Sequence, residues 1–293
     1  AEEADEEATP RHFAAIRAQL GPLRHTTPLC PHYMCRQVEI SASMRRILVE
    51  WLIELHDELG LPTEALLHGI HHVDRFLAAQ SVRKEALQLV GAVALMTACN
   101  SFCKLPTQDG ERLEGERGLH SAEDIVYWTD GTYTTEEVLD MEARLLLHLD
   151  ESGGVALCAD APVHYLCTYC AALPQLDDAA VSIALELLVM CTREYRLLQT
   201  PPNLLAASCL GLAVWNRPAS AACSHEWDAS MASYTGFGAA ALVACCEAEL
   251  HMLRDKHVSC RSIALGLRAR SIHATIMLMD LPTFSGGTRQ AVR

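Results

Sequence analysis

The stretch that decides the fold lies at residues 44–55, which read MRRILVEWLIEL. At about 100° per residue, four apolar side chains fall on one stripe of a helix: Met44, Ile47, Leu48 and Trp51. Three more lie well around the cylinder from that stripe: Val49, Leu52 and Ile53. A helix that is apolar on most of its circumference either lies at the centre of a bundle or keeps a second apolar stripe for a partner. We expect this first long helix to lie at the centre of its repeat.

Arg45 stands among these apolar positions. A guanidinium held there needs a carboxylate, because its desolvation is otherwise uncompensated. The next helical segment supplies one in Asp74, within VDRFL at 73–77. The sequence therefore predicts a buried ion pair between Arg45 and Asp74.

Helical periodicity continues through most of the chain. Half of the residues are hydrophobic but only 5% are aromatic, and an apolar supply of mainly Ala, Leu and Val favours helices over strands. The first half predicts five helices, at about 43–60, 62–79, 82–103, 123–128 and 134–148. The second half predicts five more, at about 161–173, 178–198, 202–217, 225–233 and 238–254. We expect an all-α fold of two tandem five-helix repeats, preceded by a short N-terminal helix.

Two polar, glycine-containing segments interrupt this pattern. The segment 107–121 predicts a surface loop. Ser43 and Thr134 are predicted as the N-caps of the first and the fifth helix. The run ESGG at 151–154 predicts the boundary between the repeats. The expected divisions are an N-terminal segment 1–42, a first repeat 43–150, a linker 151–160, a second repeat 161–254 and a tail 255–293.

Charge and cysteine usage exclude several classes of partner. The formal net charge is −14, and such an acidic surface disfavours nucleic-acid binding. Apolar runs stay below the ~18–20 residues that a membrane span needs, so we expect no membrane partner. The acidic N-terminus lacks the order of a signal peptide. Thirteen cysteines scattered through helical stretches favour reduced, intracellular thiols.

Candidate metal ligands are sparse. Cys167 and Cys170 form a lone CxxC, and Cys30 and Cys35 around His32 match no common zinc spacing. We therefore expect buried structural thiols and no metal or cofactor.

Neither the histidines of the second helix nor any other motif in the sequence indicates a catalytic site. His68, His71 and His72 include a His-x-x-x-His pair without the glutamate of a metalloprotease, which favours solvated or partly buried histidines. Phosphate-binding, nucleophile-elbow and kinase-loop motifs are missing from the sequence. The chain is therefore not expected to be an enzyme.

Several segments of the first half resemble, in order, the cyclin box of the A- and B-type (mitotic) cyclins. They are YMCRQVEISASMRRILVEWL at 33–52, TE at 63–64 with VDRFL at 73–77, LQLVG at 87–91, 124–130 with TYT at 132–134, and VLDME at 138–142. The second half matches more weakly, at 161–163 and 234–237, so the resemblance spans about residues 30–282. It implies two cyclin-box repeats and a regulatory subunit that binds and activates a cyclin-dependent protein kinase in the nucleus and cytoplasm.

In the family, a Lys on the third helix and a Glu on the fifth make the central polar contacts with the kinase. The resemblance carries the Glu to Glu142, but Asn100 occupies the position of the Lys, and a neutral amide does not replace an ammonium in a charge-assisted bond. Lys104, one turn on, is a candidate replacement, and an insertion at about 108–120 follows. The kinase-facing edge is therefore expected to differ from that of the family.

The family's second site recruits substrates or inhibitors that carry an Arg-x-Leu segment. The resemblance places its apolar floor and its acidic contact at Met44, Ile47, Leu48, Trp51, Leu87, Gln88 and Glu54. These residues are called the docking face below. A second hypothesis, a cyclin-fold scaffold or transcription-type factor that docks partners without activating a kinase, stays open because of Asn100.

Overall fold

The computed structural model describes residues 29–103, 119–151, 160–172, 176, 178–215, 227 and 229–246. Helices of the first repeat are α1 (Ala42–Leu59), α2 (Thr63–Ala79), α3 (Leu87–Cys103), α4 (Ala122–Trp128) and α5 (Thr135–Glu151). Those of the second are α6 (Pro162–Ala172), α7 (Asp178–Thr192), α8 (Pro202–Trp215), α9 (Ala229–Thr235) and α10 (Ala239–Cys245). Short 3-10 helices occupy Tyr33–Arg36, Lys84–Ala86 and Tyr195–Gln199. The described residues contain no strand, which confirms the all-α prediction.

None of the helices in the described ranges is long and apolar enough to cross a membrane. The predicted N-terminal helix and the tail 255–293 lie outside the described residues.

Helix ends follow local side-chain chemistry. The Oγ of Ser41, whose backbone is extended, accepts a hydrogen bond from the Met44 amide at 3.3 Å. The predicted N-cap at Ser43 was therefore wrong by two residues, because Ser43 already lies inside the first turn. Gly60 ends α1 in the left-handed region at φ 61°, a conformation that glycine adopts without strain.

The cap predicted for α5 is present. Thr134 Oγ1 accepts from the Glu137 amide at 3.3 Å, and the Thr134 amide donates to Glu137 Oε2 at 2.9 Å. The segment expected as one helix over 178–198 instead ends its α-helix at Thr192 and turns into the 3-10 helix Tyr195–Gln199. That break brings the end of α7 toward α1, as described below.

The centre of the first repeat is α2, not α1. Every residue of α2 from Glu64 to Leu77 is buried, and α2 packs against α1, α3, α5, α6 and α7. Helix α1, by contrast, leaves Ile47 64% exposed. The expectation that the first long helix lies at the centre was therefore wrong. The alternative, a helix with one stripe in the core and another at the surface, describes α1.

A close approach of two helices explains the position of α2. A Cβ on Gly69 would lie 2.9 Å from the Cα of Leu95 on α3, closer than carbon atoms approach one another. Glycine at this position lets α2 and α3 pack backbone against backbone. In the second repeat, α8 has the corresponding burial, from Leu205 to Val214.

Candidate functional site

The expected ion pair between Arg45 and Asp74 is present and almost fully buried. Arg45 Nε donates to Asp74 Oδ1 and a terminal nitrogen donates to Oδ2, each at 2.6 Å. Its other terminal nitrogen donates to the Thr192 carbonyl at 2.7 Å, and the Tyr33 hydroxyl donates to Asp74 Oδ1 at 2.6 Å. Burial alone lowers the pKa of Arg45, but the Asp74 carboxylate raises it above its ordinary value. The guanidinium therefore stays charged.

The same network joins the N-terminal segment to both repeats. Burial, followed by the charge of Asp74, raises the pKa of Tyr33, which keeps its hydroxyl a donor. The Met34 amide donates to the Tyr195 hydroxyl at 2.9 Å. Tyr33 and Tyr195 also stack edge to face, with ring centroids 5.1 Å apart. Residues 33–34 thus bridge α2 of the first repeat and the 3-10 helix of the second.

The docking face consists of an exposed upper layer and a buried floor. Ile47 and Glu54 are exposed, and three more side chains are partly buried: Met44, Trp51 and Gln88. Leu48 and Leu87 are buried beneath them. A Cβ on Gly91 of α3 would lie 2.6 Å from Leu48 Cδ1, so Leu48 fills the contact between α1 and α3. Of the residues predicted for the docking face, the structure therefore places five at the surface and two, Leu48 and Leu87, beneath them.

Two carboxylates on α1, those of Glu50 and Glu54, differ in whether a basic side chain is bonded to them. Glu50 accepts from Arg46 at 2.9 Å, and Arg46 also reaches Glu194 of the second repeat at 3.0 Å. Glu54, one turn beyond Glu50, has no salt-bridge partner among the described side chains. An exposed, uncompensated carboxylate next to an apolar surface suits a ligand that combines a basic and an apolar side chain.

Asn100 is engaged inside the molecule. Its amide nitrogen donates to the His120 carbonyl at 3.1 Å, and its amide oxygen lies 3.0 Å from His120 Nδ1. The His120 amide in turn donates to Asp124 Oδ2 at 2.9 Å. Asn100 thus ties the end of α3 to the chain that returns before α4. Lys104 and most of the predicted insertion lie outside the described residues.

Sequence reasoning missed three exposed leucines on the helix that carries Glu142, here called the leucine stripe. They lie on α5, which packs against α3, and are 52%, 42% and 64% exposed: Leu139, Leu146 and Leu147. The sequence contains a signal for them, because only Leu145 of the run 145–147 continues the buried stripe of Val138 and Met141. The half-buried Glu142 carboxylate therefore lies on a helix that presents apolar side chains to solvent.

The histidines of α2 are all buried, at 1%, 6% and 0% exposure for His68, His71 and His72. The expectation of solvated or partly buried rings was wrong, because α2 is surrounded by other helices. In the described ranges, no group of three His, Cys, Asp or Glu side chains has the geometry of a metal site.

The expectation of buried thiols is confirmed for the CxxC pair but was wrong for Cys30 and Cys35, which are exposed. Burial raises the pKa of Cys170 to about 12 and that of Cys167 well above its ordinary value. These thiols are therefore protonated near neutral pH and pack as small apolar groups.

Comparison with known proteins gives the family. Two family models match: "Cyclin, N-terminal domain" over residues 20–151 and "Cyclin, C-terminal domain" over 161–265. Cyclin-B2-1 of Arabidopsis thaliana is 30% identical over 239 residues, 82% of this chain and 47% of the relative. Cyclin-A1 of Mus musculus is 32% identical over 240 residues, 79% of this chain and 48% of the relative.

A third relative, G2/mitotic-specific cyclin-2 of Medicago sativa, is 29% identical, covering 81% of this chain and 66% of the relative. This chain spans about half the length of most of these curated relatives. The solved structure of a viral cyclin from herpesvirus saimiri aligns with a TM-score of 0.53 at 17% identity. It covers 78% of this chain and 90% of the viral chain, and this likeness shows the fold.

Proposed function

The chain belongs to the cyclin family, and we propose that it is the regulatory, non-catalytic subunit that binds and activates a cyclin-dependent protein kinase. The observation that carries this proposal is the surface of α5, where Glu142 lies on the same side of the helix as Leu139 and Leu146 of the leucine stripe. Exposed leucines on a helix of a folded repeat are typical of a surface that a partner covers. The name of the Medicago relative, "G2/mitotic-specific cyclin-2", supports a role in mitosis.

The polar contacts of this surface differ from the family pattern. Glu142 supplies the acceptor, whereas Asn100 supplies only neutral donors, one of which is already bonded to His120. A charge-assisted hydrogen bond is roughly twice as strong as a neutral one. The leucine stripe is therefore expected to contribute most of the affinity for the kinase, with Asn100 contributing little.

The docking face is proposed to recruit substrates or inhibitors that carry an Arg-x-Leu segment. The Leu side chain would lie on Ile47 and Trp51, and the Arg would reach Glu54. These positions lie on α1, while Glu142 lies on α5, so the two surfaces are separate and can be disabled independently. The activity is proposed for the nucleus and cytoplasm, and the acidic composition gives no support to nucleic-acid binding.

One observation favours a second function, a scaffold that docks partners without activating a kinase. Asn100 lacks the charge of the family Lys and is held by His120 on both sides of its amide. A scaffold would keep the docking face and the leucine stripe but would leave the kinase inactive.

The test is co-purification of the chain with each of a panel of cyclin-dependent kinases, followed by phosphorylation of an Arg-x-Leu substrate. Activation of a kinase supports the regulatory subunit, and a stable but inactive complex supports the scaffold. If the chain forms no complex with any of the kinases, both hypotheses of kinase binding are contradicted. Glu142→Gln should weaken the complex. Glu136→Gln, an exposed change on the first turn of the same helix, is the matched control and should not.

A further inference from the structure

Four buried imidazoles meet where the two repeats pack together. Three lie on α2 and one on α6, and they are called the histidine seam: His68, His71, His72 and His164. His164 is 3% exposed, and a proton on its ring would oppose protonation of His68 across the boundary between α2 and α6. The seam therefore extends from the core of the first repeat to the contact between α2 and α6 of the two repeats.

The nearest carboxylate is already compensated by a permanent cation. Asp160, just before α6, accepts from Arg75 at 2.6 Å and lies 3.1 Å from His71 Nε2. Glu64 is on α2 one turn before His68, and its charge acts on the thiols of Cys167 and Cys170. Because Arg75 shares Asp160 with His71, additional protons in the seam add positive charge that this carboxylate does not fully offset.

Ring nitrogens of the seam lack hydrogen-bond partners among the described residues. They are both nitrogens of His72 and Nδ1 of His164. An imidazolium donates from both nitrogens. A protonated His164 ring would therefore leave a buried charged donor unpaired, which is costly.

The direction of titration agrees with this geometry. Burial, then the neighbouring His72, His71 and His164, hold the pKa of His68 well below its ordinary value, while Asp160 opposes them. Burial also lowers the pKa of His164, again against Asp160. A histidine with a lowered pKa in the folded state binds fewer protons than it does when exposed. Its contribution to stability is therefore complete above the unfolded pKa of about 6.5 and is lost as pH falls below that value.

We propose that the histidine seam makes the contact between the two repeats acid-sensitive, so that mild acidification makes transient separation of α6 from α2 more frequent before it disrupts either repeat internally. The seam holds the repeats together when its rings are neutral. When the seam opens to water, the rings take up protons and the open form is favoured.

The test is urea denaturation of the full chain between pH 7.5 and 5.5. From pH 7.0 to 5.5, each histidine that stays neutral in the folded protein should raise the unfolding equilibrium constant about eightfold, or about 70-fold for two. The double variant His68→Leu/His164→Leu should lose most of this pH dependence. His32→Gln, at an exposed position, should keep it. An unchanged pH dependence in the double variant would overturn the proposal.

A second measurement does not depend on the variants folding. In the wild-type chain, the ring signals of His68 and His164 should remain those of neutral imidazole at pH 5.5, and amide exchange at this pH should increase first in α6 and the facing half of α2. Ring titration near pH 6.5, or exchange that increases uniformly over both repeats, would contradict an acid-sensitive seam.

Discussion

Arg45 bonds both carboxylate oxygens of Asp74 at 2.6 Å while its remaining terminal nitrogen donates to the Thr192 carbonyl at 2.7 Å. One side chain thus connects α1 and α2 with the end of α7. The guanidinium has five N–H donors in a fixed plane. Here all three of its nitrogens donate hydrogen bonds, two to Asp74 of the first repeat and one to Thr192 of the second. The pair therefore stabilises the relative position of the repeats as well as the first repeat itself.

Replacing Arg45 with Met should lower the free energy of unfolding by about 3–5 kcal/mol, because Asp74 is left as an uncompensated buried charge. Denaturant unfolding measures this loss. The double variant Arg45→Met/Asp74→Leu should lose less than the sum of the single changes, since neither charge then remains. Arg83→Met, at an exposed position, is the control. A loss for Arg45→Met no larger than that of the control would contradict the role of the pair.

Changing Ile47 to Asp should weaken binding of an Arg-x-Leu peptide at least tenfold, because a carboxylate would replace the apolar contact for the Leu. Stability should change by no more than about 0.5 kcal/mol, as is usual for surface positions. Val38→Asp, at an apolar position 87% exposed, is the matched control. Fluorescence anisotropy with a labelled peptide gives both affinities, and equal effects of the two substitutions would remove Ile47 from the docking face.

Trp51→Ala and Glu54→Lys should distinguish the apolar from the electrostatic contribution to binding of the Arg-x-Leu peptide. Truncating a partly buried aromatic at a hot spot typically costs about 2 kcal/mol of binding, which is more than tenfold in affinity. The loss from Glu54→Lys should shrink as ionic strength rises, because screening weakens the new repulsion, while the loss from Trp51→Ala should not. Kinase association should survive both changes. A large drop in melting temperature with joint loss of peptide and kinase binding would make Trp51 a core residue.

Restoring the family charge should strengthen kinase binding. Asn100→Lys introduces an ammonium where the family has one, and a charge-assisted bond should tighten the complex about tenfold. His120→Ala is the control, because it removes the partner of Asn100 without adding charge. Surface plasmon resonance with the kinase measures both. Equal tightening by the two variants would assign the effect to release of Asn100 rather than to charge.

Two helical glycines should respond differently to alanine. At Gly69 the new Cβ would lie 2.9 Å from backbone Cα of Leu95, whereas at Gly91 it would lie 2.6 Å from the end of the Leu48 side chain. A backbone cannot move without displacing α3, but a leucine terminus can rotate. Gly69→Ala should therefore cost several kcal/mol in thermal or urea unfolding, at the scale of overpacking. Gly91→Ala should cost less, and a reversed order would contradict this account.

The sequence predicted the helices well because their ends depend on local signals such as Thr134, Gly60 and the prolines between segments. It also predicted the partner of Arg45, since burial of one charge requires another nearby. It did not identify α2 as the central helix, because three histidines make that segment look more polar than its surroundings are. The polarity of histidine in a sequence does not predict whether its imidazole ring is buried or exposed in the fold.

Other features of the site depend on contacts that the sequence does not encode locally. The hydrogen bond between Asn100 and His120 joins residues 20 positions apart across a loop. The helical periodicity of the sequence does not predict it. Within the run 145–147, the spacing from Val138 and Met141 indicates that Leu145 is the buried residue. The sequence does not show how far Leu146 and Leu147 remain exposed, because that depends on which helices pack against α5.

The acceptor at Thr192 is a main-chain oxygen, which every amino acid possesses. Substitutions at this position leave the acceptor in place as long as the path of the backbone is kept, so the second repeat can diverge in sequence without breaking its link to Arg45. Correlated substitution between positions 45 and 192 is consequently not expected across related chains. The dependence of one repeat on the other would appear in insertions and deletions near residue 192, which move the carbonyl, rather than in point replacements.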